Sequence, residues 1–165
     1  MGNEGKHKMH SFDFIARSTL LRPRDFVSYL QSCAEHANSL DVPITPKTIK
    51  VVDKAFSNYL REEFQDELFA ILPEIASILD VISQVRKWNF SIAEFERAYD
   101  EQVSAGFIKE KSTKFVLQVL FLFDVIGNNP YPGRYVFRYQ NREARLNFNE
   151  NVVVHRGLFK SLQIL

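Results

Sequence analysis

The sequence predicts a mainly α-helical protein, in which a helical bundle is followed by three further helices and a C-terminal β-hairpin. Apolar residues recur at helical spacing between residues 26 and 72. Ser91 and Glu94 form a capping box, which marks the start of another helix. Two segments rich in β-branched and aromatic residues lie near the C-terminus, as a pair of strands requires. With 165 residues, the chain can form one domain or two small ones that share a core.

The first half of the chain predicts two long helices. Pro23 begins the first, because proline suits the first helical position, and the Asp41-Val42-Pro43 segment ends it. Thr45 and Pro46 supply the N-cap and first residue of the second helix, whose apolar positions stay in phase as far as Leu72. We therefore predict a helical subdomain over residues 11–72, preceded by an unstructured start or linker over residues 1–10.

The second half predicts three helices and two strands. Pro73 begins a helix over residues 74–86, and the Ser91 capping box begins one that reaches about residue 103. Ser112 caps a third, which ends near Gly127. Turn formers over residues 128–133 precede strands at residues 135–140 and 148–155, and a short docking helix follows at the C-terminus. This is the order of a winged helix-turn-helix, which we predict for residues 73–165.

Composition excludes several classes of protein. The net charge of +1 gives no general attraction to nucleic acid or anionic membranes. The chain contains no apolar run long enough to cross a membrane, and its start lacks the apolar region of a signal peptide, so we expect a cytoplasmic protein without membrane contact. Its single cysteine, Cys33, excludes an intrachain disulfide. Fifteen phenylalanines predict an aromatic core or a partner surface.

The Arg22-Pro23-Arg24-Asp25 segment places two arginines at the start of a helix, where the helix dipole disfavours positive charge. Two interpretations follow. In the first, Asp25 caps the helix and the arginines point into water. In the second, both guanidinium groups and the free backbone N–H groups converge on a phosphate, which suits the planar, multidentate geometry of arginine.

This Arg-Pro-Arg-Asp opening resembles the lid helix of certain bacterial P-loop ATPases of the STAND/AAA-like type, in which an RPRD-type helix follows the nucleotide-binding core. In related AAA-type ATPases, an arginine of the lid contacts the γ-phosphate of ATP. The resemblance implies nucleotide sensing by Arg22 or Arg24, without deciding between them, and a lid role for residues 11–72. It continues through the apolar helix from Phe115 and the segments at 135–139 and 152–155, which implies a winged helix behind the lid.

The chain lacks the loop that such an ATPase needs to bind nucleotide. None of its six glycines begins a G-x-x-x-x-G-K-[ST] motif, so we expect no ATP hydrolysis and no bound cofactor from this chain alone. The resemblance then implies a C-terminal fragment of an ATPase, whose upstream P-loop core would be its partner and would bind ATP and Mg²⁺. We find no arrangement of residues that predicts a catalytic or metal site.

A winged helix raises the question of DNA binding. The helix in the recognition position is apolar almost all round, so it predicts burial rather than base readout. The remaining candidates for contact with the DNA backbone are Lys109, Lys111, Lys114, Arg138, Arg142 and Arg145. The alternatives to an ATPase region are therefore a free-standing winged-helix DNA-binding regulator and a protein-interaction adaptor, with another protein or a second copy of the chain as its partner.

Overall fold

The computed structural model describes residues 9–109 and 111–164, which form a mainly helical structure, as predicted, with one small antiparallel sheet of four strands. Most of the predicted unstructured start, residues 1–8, lies outside the described residues. The helices are α1 (Ser11–Ala16), α2 (Pro23–Leu40), α3 (Pro46–Leu68), α4 (Ile75–Val85), α5 (Ile92–Ser104) and α6 (Thr113–Leu122). The strands are β1 (Asn89–Phe90), β2 (Ile126–Tyr131), β3 (Arg134–Val136) and β4 (Asn151–Val154). A single 3-10 turn (Arg156–Leu158) follows β4.

The predicted starts of α3 and α5 are confirmed by their capping contacts. Thr45 and Thr48 satisfy each other's backbone N–H groups at the start of α3, and Ser91 and Glu94 do the same at the start of α5. α2 begins at Pro23, but Asp25 forms no cap there, contrary to the first interpretation of this segment. α1 was not predicted, because its six residues are too few to show a helical period.

The third helix of the second half is shorter than predicted. α6 ends at Leu122, and Asp124 adopts the left-handed conformation with a φ of 63°. The N–H of Val125 then reaches back to the carbonyl of Leu120 over 3.0 Å, which closes the helix in the manner of a Schellman motif. The chain therefore turns directly into β2.

The sheet differs from the predicted hairpin. Its strand order is β1-β4-β2-β3, so β4 lies between the strand before α5 and the strand after α6. The prediction of a turn over residues 128–133 was wrong for its first part, because Asn128 and Asn129 pair with β4. The actual turn lies at Pro132 and Gly133, and Gly133 has a φ of 84°, which glycine adopts readily. This turn joins β2 to β3, and these two strands form the observed hairpin.

The two halves of the chain share one hydrophobic core. Buried residues from α2 and α3 belong to the same cluster as those from α4, α6 and β4. The backbone of Gly157 passes so close to the Ser18 carbonyl and to Leu60 that a Cβ atom there would overlap both. The hydroxyl of Ser57 donates to that of Ser161 over 3.0 Å and accepts from its N–H over 2.9 Å. The C-terminal segment is therefore packed firmly against α3, and the chain continues across the predicted boundary at residue 72 within one core.

Candidate functional site

Arg22 binds a buried carboxylate at the start of α2. Its Nε lies 3.2 and 3.1 Å from the two carboxylate oxygens of Asp25, which is fully buried. The N–H of Leu20 donates to the same carboxylate over 3.0 Å. Burial lowers the pKa of Arg22, but its hydrogen bond to Asp25 and the charge of Asp25 outweigh that effect and raise the pKa overall. Arg22 therefore neutralises an internal charge.

Arg24 lies at the surface beside the end of α3. Its guanidinium is 3.1 Å from a carboxylate oxygen of Glu63, and it also contacts Glu67. Glu67 in turn accepts a hydrogen bond from Nη1 of Arg22 over 2.9 Å. The Arg24 side chain is 52% exposed, whereas that of Arg22 is 26% exposed. The carboxylate of Glu67 therefore contacts both arginines.

The positive charge at the start of α2 is compensated by Asp25 of the same helix and by two carboxylates of α3. The sequence places Glu63 and Glu67 in an acidic stretch that has the appearance of a solvated helix face. Sequence reasoning missed their role, because the partner arginines are distant in the sequence, at 43 and 45 residues from Glu67. Their spacing of four residues, which puts both on one face of α3, was the available signal.

Two titratable groups of the C-terminal half lie near this network. The carboxylate of Asp124 accepts a hydrogen bond from the N–H of Tyr139 over 2.9 Å, and burial raises the pKa of Asp124. His155 is fully buried, and its Nδ1 accepts a hydrogen bond from the N–H of Gly157 over 3.1 Å. Burial lowers the pKa of His155 to about 4, so the ring is neutral at pH 7. The charges of Asp25 and Arg22 both act on this histidine.

The predicted DNA-contact residues lie in two parts of the second half, one before and at the start of α6 and the other between β3 and β4. Lys109 and Lys111 lie in the connection before α6, where the N–H of Lys109 donates to Glu74. Nζ of Lys114 lies 5.8 Å from the centre of the Phe148 ring. Arg138 is partly buried, and its charge opposes the rise that burial causes in the pKa of Asp124. Arg142 and Arg145 are exposed between β3 and β4.

α6 is largely buried, as its apolar sequence predicts. Five of its residues are buried, namely Val116, Leu117, Val119, Leu120 and Phe121. Its exposed positions include two large apolar side chains, Phe115 at 44% and Leu122 at 48% exposure. Lys114 and Gln118 are the polar side chains exposed on this helix. These four positions offer little for reading base edges, because base readout needs several donors and acceptors.

Over residues 9–109 and 111–164, no group of three or more His, Cys, Asp or Glu side chains is placed to hold a metal ion. In the same part of the chain, no helix has the length and hydropathy of a membrane-spanning segment. The only cysteine, Cys33, is buried within α2, and burial raises the pKa of its thiol.

Comparison with known proteins identifies one related domain. Residues 3–65 match the model of a family described as the FunZ-associated C-terminal helical domain. The match spans under half of the chain and contains the Arg-Pro-Arg-Asp segment, α1, α2 and most of α3. Searches of curated proteins and of solved structures give no significant match.

Proposed function

We propose that this chain is a non-catalytic, accessory C-terminal region of a larger P-loop ATPase, and that the start of its α2 responds to bound nucleotide. The family match supports an accessory role, because the matched domain is described as helical, C-terminal and FunZ-associated. The Arg-Pro-Arg-Asp resemblance supports the link to an ATPase core that binds ATP and Mg²⁺. This region would act in the cytoplasm beside that core.

Arg24 is the proposed sensing residue, and its exposure beside Glu67 is the observation that carries the proposal. Removing Arg22 from Asp25 would leave a buried carboxylate unpaired, which costs about 3–5 kcal/mol. An exposed ion pair such as that of Arg24 contributes only about 0–1 kcal/mol. Arg24 can therefore exchange Glu63 and Glu67 for a γ-phosphate, with Arg22 holding the segment in place.

The response of α2 to nucleotide would reach the second half of the chain through the shared hydrophobic core. A shift of α2 toward the nucleotide would move α3, and the segment around Gly157 packs against α3 at Leu60. Hydrolysis would release the contact, so that the two arrangements of the domain report the nucleotide state.

The second half is proposed to be a winged-helix module that transmits this state. The order from α4 to β4, which is helix, strand, helix, helix and then three strands, supports this assignment. So does the position of β4 between β1 and β2, because the last strand of such a module returns between the earlier two. Its output would be a contact with protein or with the DNA backbone.

The first experiment is to read the coding DNA upstream of Met1 in frame. An open frame that encodes a P-loop lysine is the expected result. A stop codon just upstream, with a ribosome-binding site before Met1, would contradict the proposal that this chain is part of an ATPase polypeptide.

Contact with the DNA backbone is a second candidate function, supported by three exposed cations. Lys114, Arg142 and Arg145 have no carboxylate oxygen within 4 Å in the described part of the chain. Duplex binding by the chain should then weaken steeply with salt, and Arg142→Gln with Arg145→Gln should weaken it for every sequence alike. If no duplex binding occurs at low salt, this candidate is removed and the protein-interaction alternative, with Phe115 and Leu122 exposed on α6, takes its place.

A further inference from the structure

A cavity of about 690 Å³ opens between the end of α1, strand β3 with the residues after it, and the start of the 3-10 turn. Three arginines from these separate elements line it: Arg17, Arg134 and Arg156. Tyr139, Gln140 and Asn141 add polar groups, and no aspartate or glutamate lies among the lining residues. Three positive charges in one concave site without a carboxylate favour the entry of an anion.

These arginines, unlike Arg22 and Arg24, have no ion-pair partner in the described part of the chain. Across residues 9–109 and 111–164, no carboxylate oxygen lies within 4 Å of any of the three. The Nε of Arg17 is buried and meets no hydrogen-bond acceptor among the residues that the structure describes. Buried donors are almost always paired, so the Nε–H of Arg17 is available to an acceptor atom of a ligand. Burial lowers the pKa of Arg17 and the charge of Arg156 lowers it further, whereas the charge of Asp53 acts in the opposite direction.

Aromatic rings hold two of these guanidinium groups in place. The Cζ of Arg17 lies 4.3 Å from the centre of the Phe14 ring, and that of Arg156 lies 4.7 Å from the centre of Phe159. Stacking fixes the plane of a guanidinium and leaves its N–H groups free at the edge. The two arginines are therefore ordered before any ligand binds, which reduces the entropy lost on binding.

A second cavity of about 240 Å³ adjoins the first and is apolar. It is lined by Trp88, Val153, Val154 and Phe159, and it shares Tyr135, Phe137 and Arg156 with the arginine-lined cavity. The rings of Trp88 and Tyr135 meet edge to face with centres 5.8 Å apart. These two rings already touch, so a planar ring would pack on the aromatic wall that they form rather than between them.

We propose that the two cavities form one binding site for a small molecule that joins a phosphate group to a flat ring, as a nucleotide does. The phosphate binds Arg17, Arg134 and Arg156, and the ring lies against Trp88 and Tyr135. This site is distinct from the Arg24 segment, and it does not depend on the proposed nucleotide sensing by α2.

Trp88 supplies the readout, because it is the only tryptophan of the chain. The 165-residue chain is titrated with ADP, pyrophosphate and adenosine while tryptophan fluorescence is recorded. We expect a saturable change with ADP, and a Kd about tenfold higher or more for pyrophosphate and for adenosine, since each lacks one half of the ligand. No saturable change with ADP would overturn the proposal. Equal Kd values for pyrophosphate and ADP would overturn the role of the aromatic cavity.

Substitutions locate the site. Arg17→Gln and Arg134→Gln should each raise the Kd for ADP by about tenfold or more. Arg134 is exposed on an edge strand, so its variant tests the site even where Arg17→Gln disturbs folding. Arg97→Gln is the matched control, because Arg97 is exposed on α5 and lines neither cavity, and its Kd for ADP should stay unchanged. Unchanged ADP binding in Arg134→Gln, or weakened ADP binding in Arg97→Gln, would contradict the assignment.

Discussion

Arg22 and Glu67 lie 45 residues apart in the sequence, and Nη1 of Arg22 donates to Oε1 of Glu67 over 2.9 Å. This contact links the start of α2 to the end of α3. Because Arg22 also binds the buried Asp25, one guanidinium connects an internal charge to a surface carboxylate. Arg24 shares Glu67 but remains exposed. The two arginines of one short motif therefore have different roles, one structural and one available to a ligand.

Arg22→Ala should strongly destabilise the fold. The substitution leaves the carboxylate of Asp25 buried without its cation, which costs about 3–5 kcal/mol in the free energy of unfolding. Chemical denaturation measures the loss, and Arg24→Ala is the control because its exposed ion pairs contribute about 0–1 kcal/mol. Equal losses in the two variants would refute the division of roles between these arginines.

Acidification should destabilise the fold through His155. Burial lowers its pKa from 6.5 to about 4 in the folded state, so between these pH values the unfolded chain binds more protons. Stability is therefore full above pH 6.5 and falls as the pH decreases to 4, by about 3 kcal/mol in all. Denaturation between pH 7 and 5 measures this slope.

His155→Asn is the matched variant, because its side-chain oxygen can still accept the hydrogen bond from the N–H of Gly157. Its stability should stay nearly constant between pH 7 and 5. If this variant kept the pH dependence of the original chain, His155 would not be its source.

Gly157→Ala should destabilise the packing between the C-terminal segment and α3. An added Cβ would overlap the Ser18 carbonyl oxygen and lie 2.5 Å from a methyl carbon of Leu60. Overpacking of this kind costs about 1–3 kcal/mol or more. Gly133→Ala is the comparison, because nothing lies within 4 Å of that position and only its left-handed backbone opposes a side chain. Thermal unfolding should show the larger loss for Gly157→Ala, and a larger loss for Gly133→Ala would contradict this packing.

Local signals in the sequence predicted the helices well. Pro23, the Thr45-Pro46 pair and the Ser91 capping box act within one turn of their own helix, so their effect is visible without tertiary structure. β2 was missed because its Gly127-Asn128-Asn129-Pro130 segment has turn-forming residues, and pairing with the apolar β4 overrides that preference.

The candidate site depended on distant contacts and was therefore only partly predictable. The sequence identified Arg22 and Arg24, but it could not show that α3 brings Glu63 and Glu67 to them. Arg17, Arg134 and Arg156 come from three elements far apart in the chain, and only folding gathers them around one cavity. Periodicity and capping carry no information on such long-range groupings.

The most direct test of the proposed function is ATP hydrolysis by the full-length protein that carries this chain, measured against ATP concentration. Arg24→Gln should weaken ATP affinity or lower turnover by about tenfold or more, because it removes a charge-assisted hydrogen bond to the γ-phosphate. Arg142→Gln, a substitution of an exposed arginine between β3 and β4, should change neither. Unchanged affinity and turnover in Arg24→Gln would contradict nucleotide sensing by this segment.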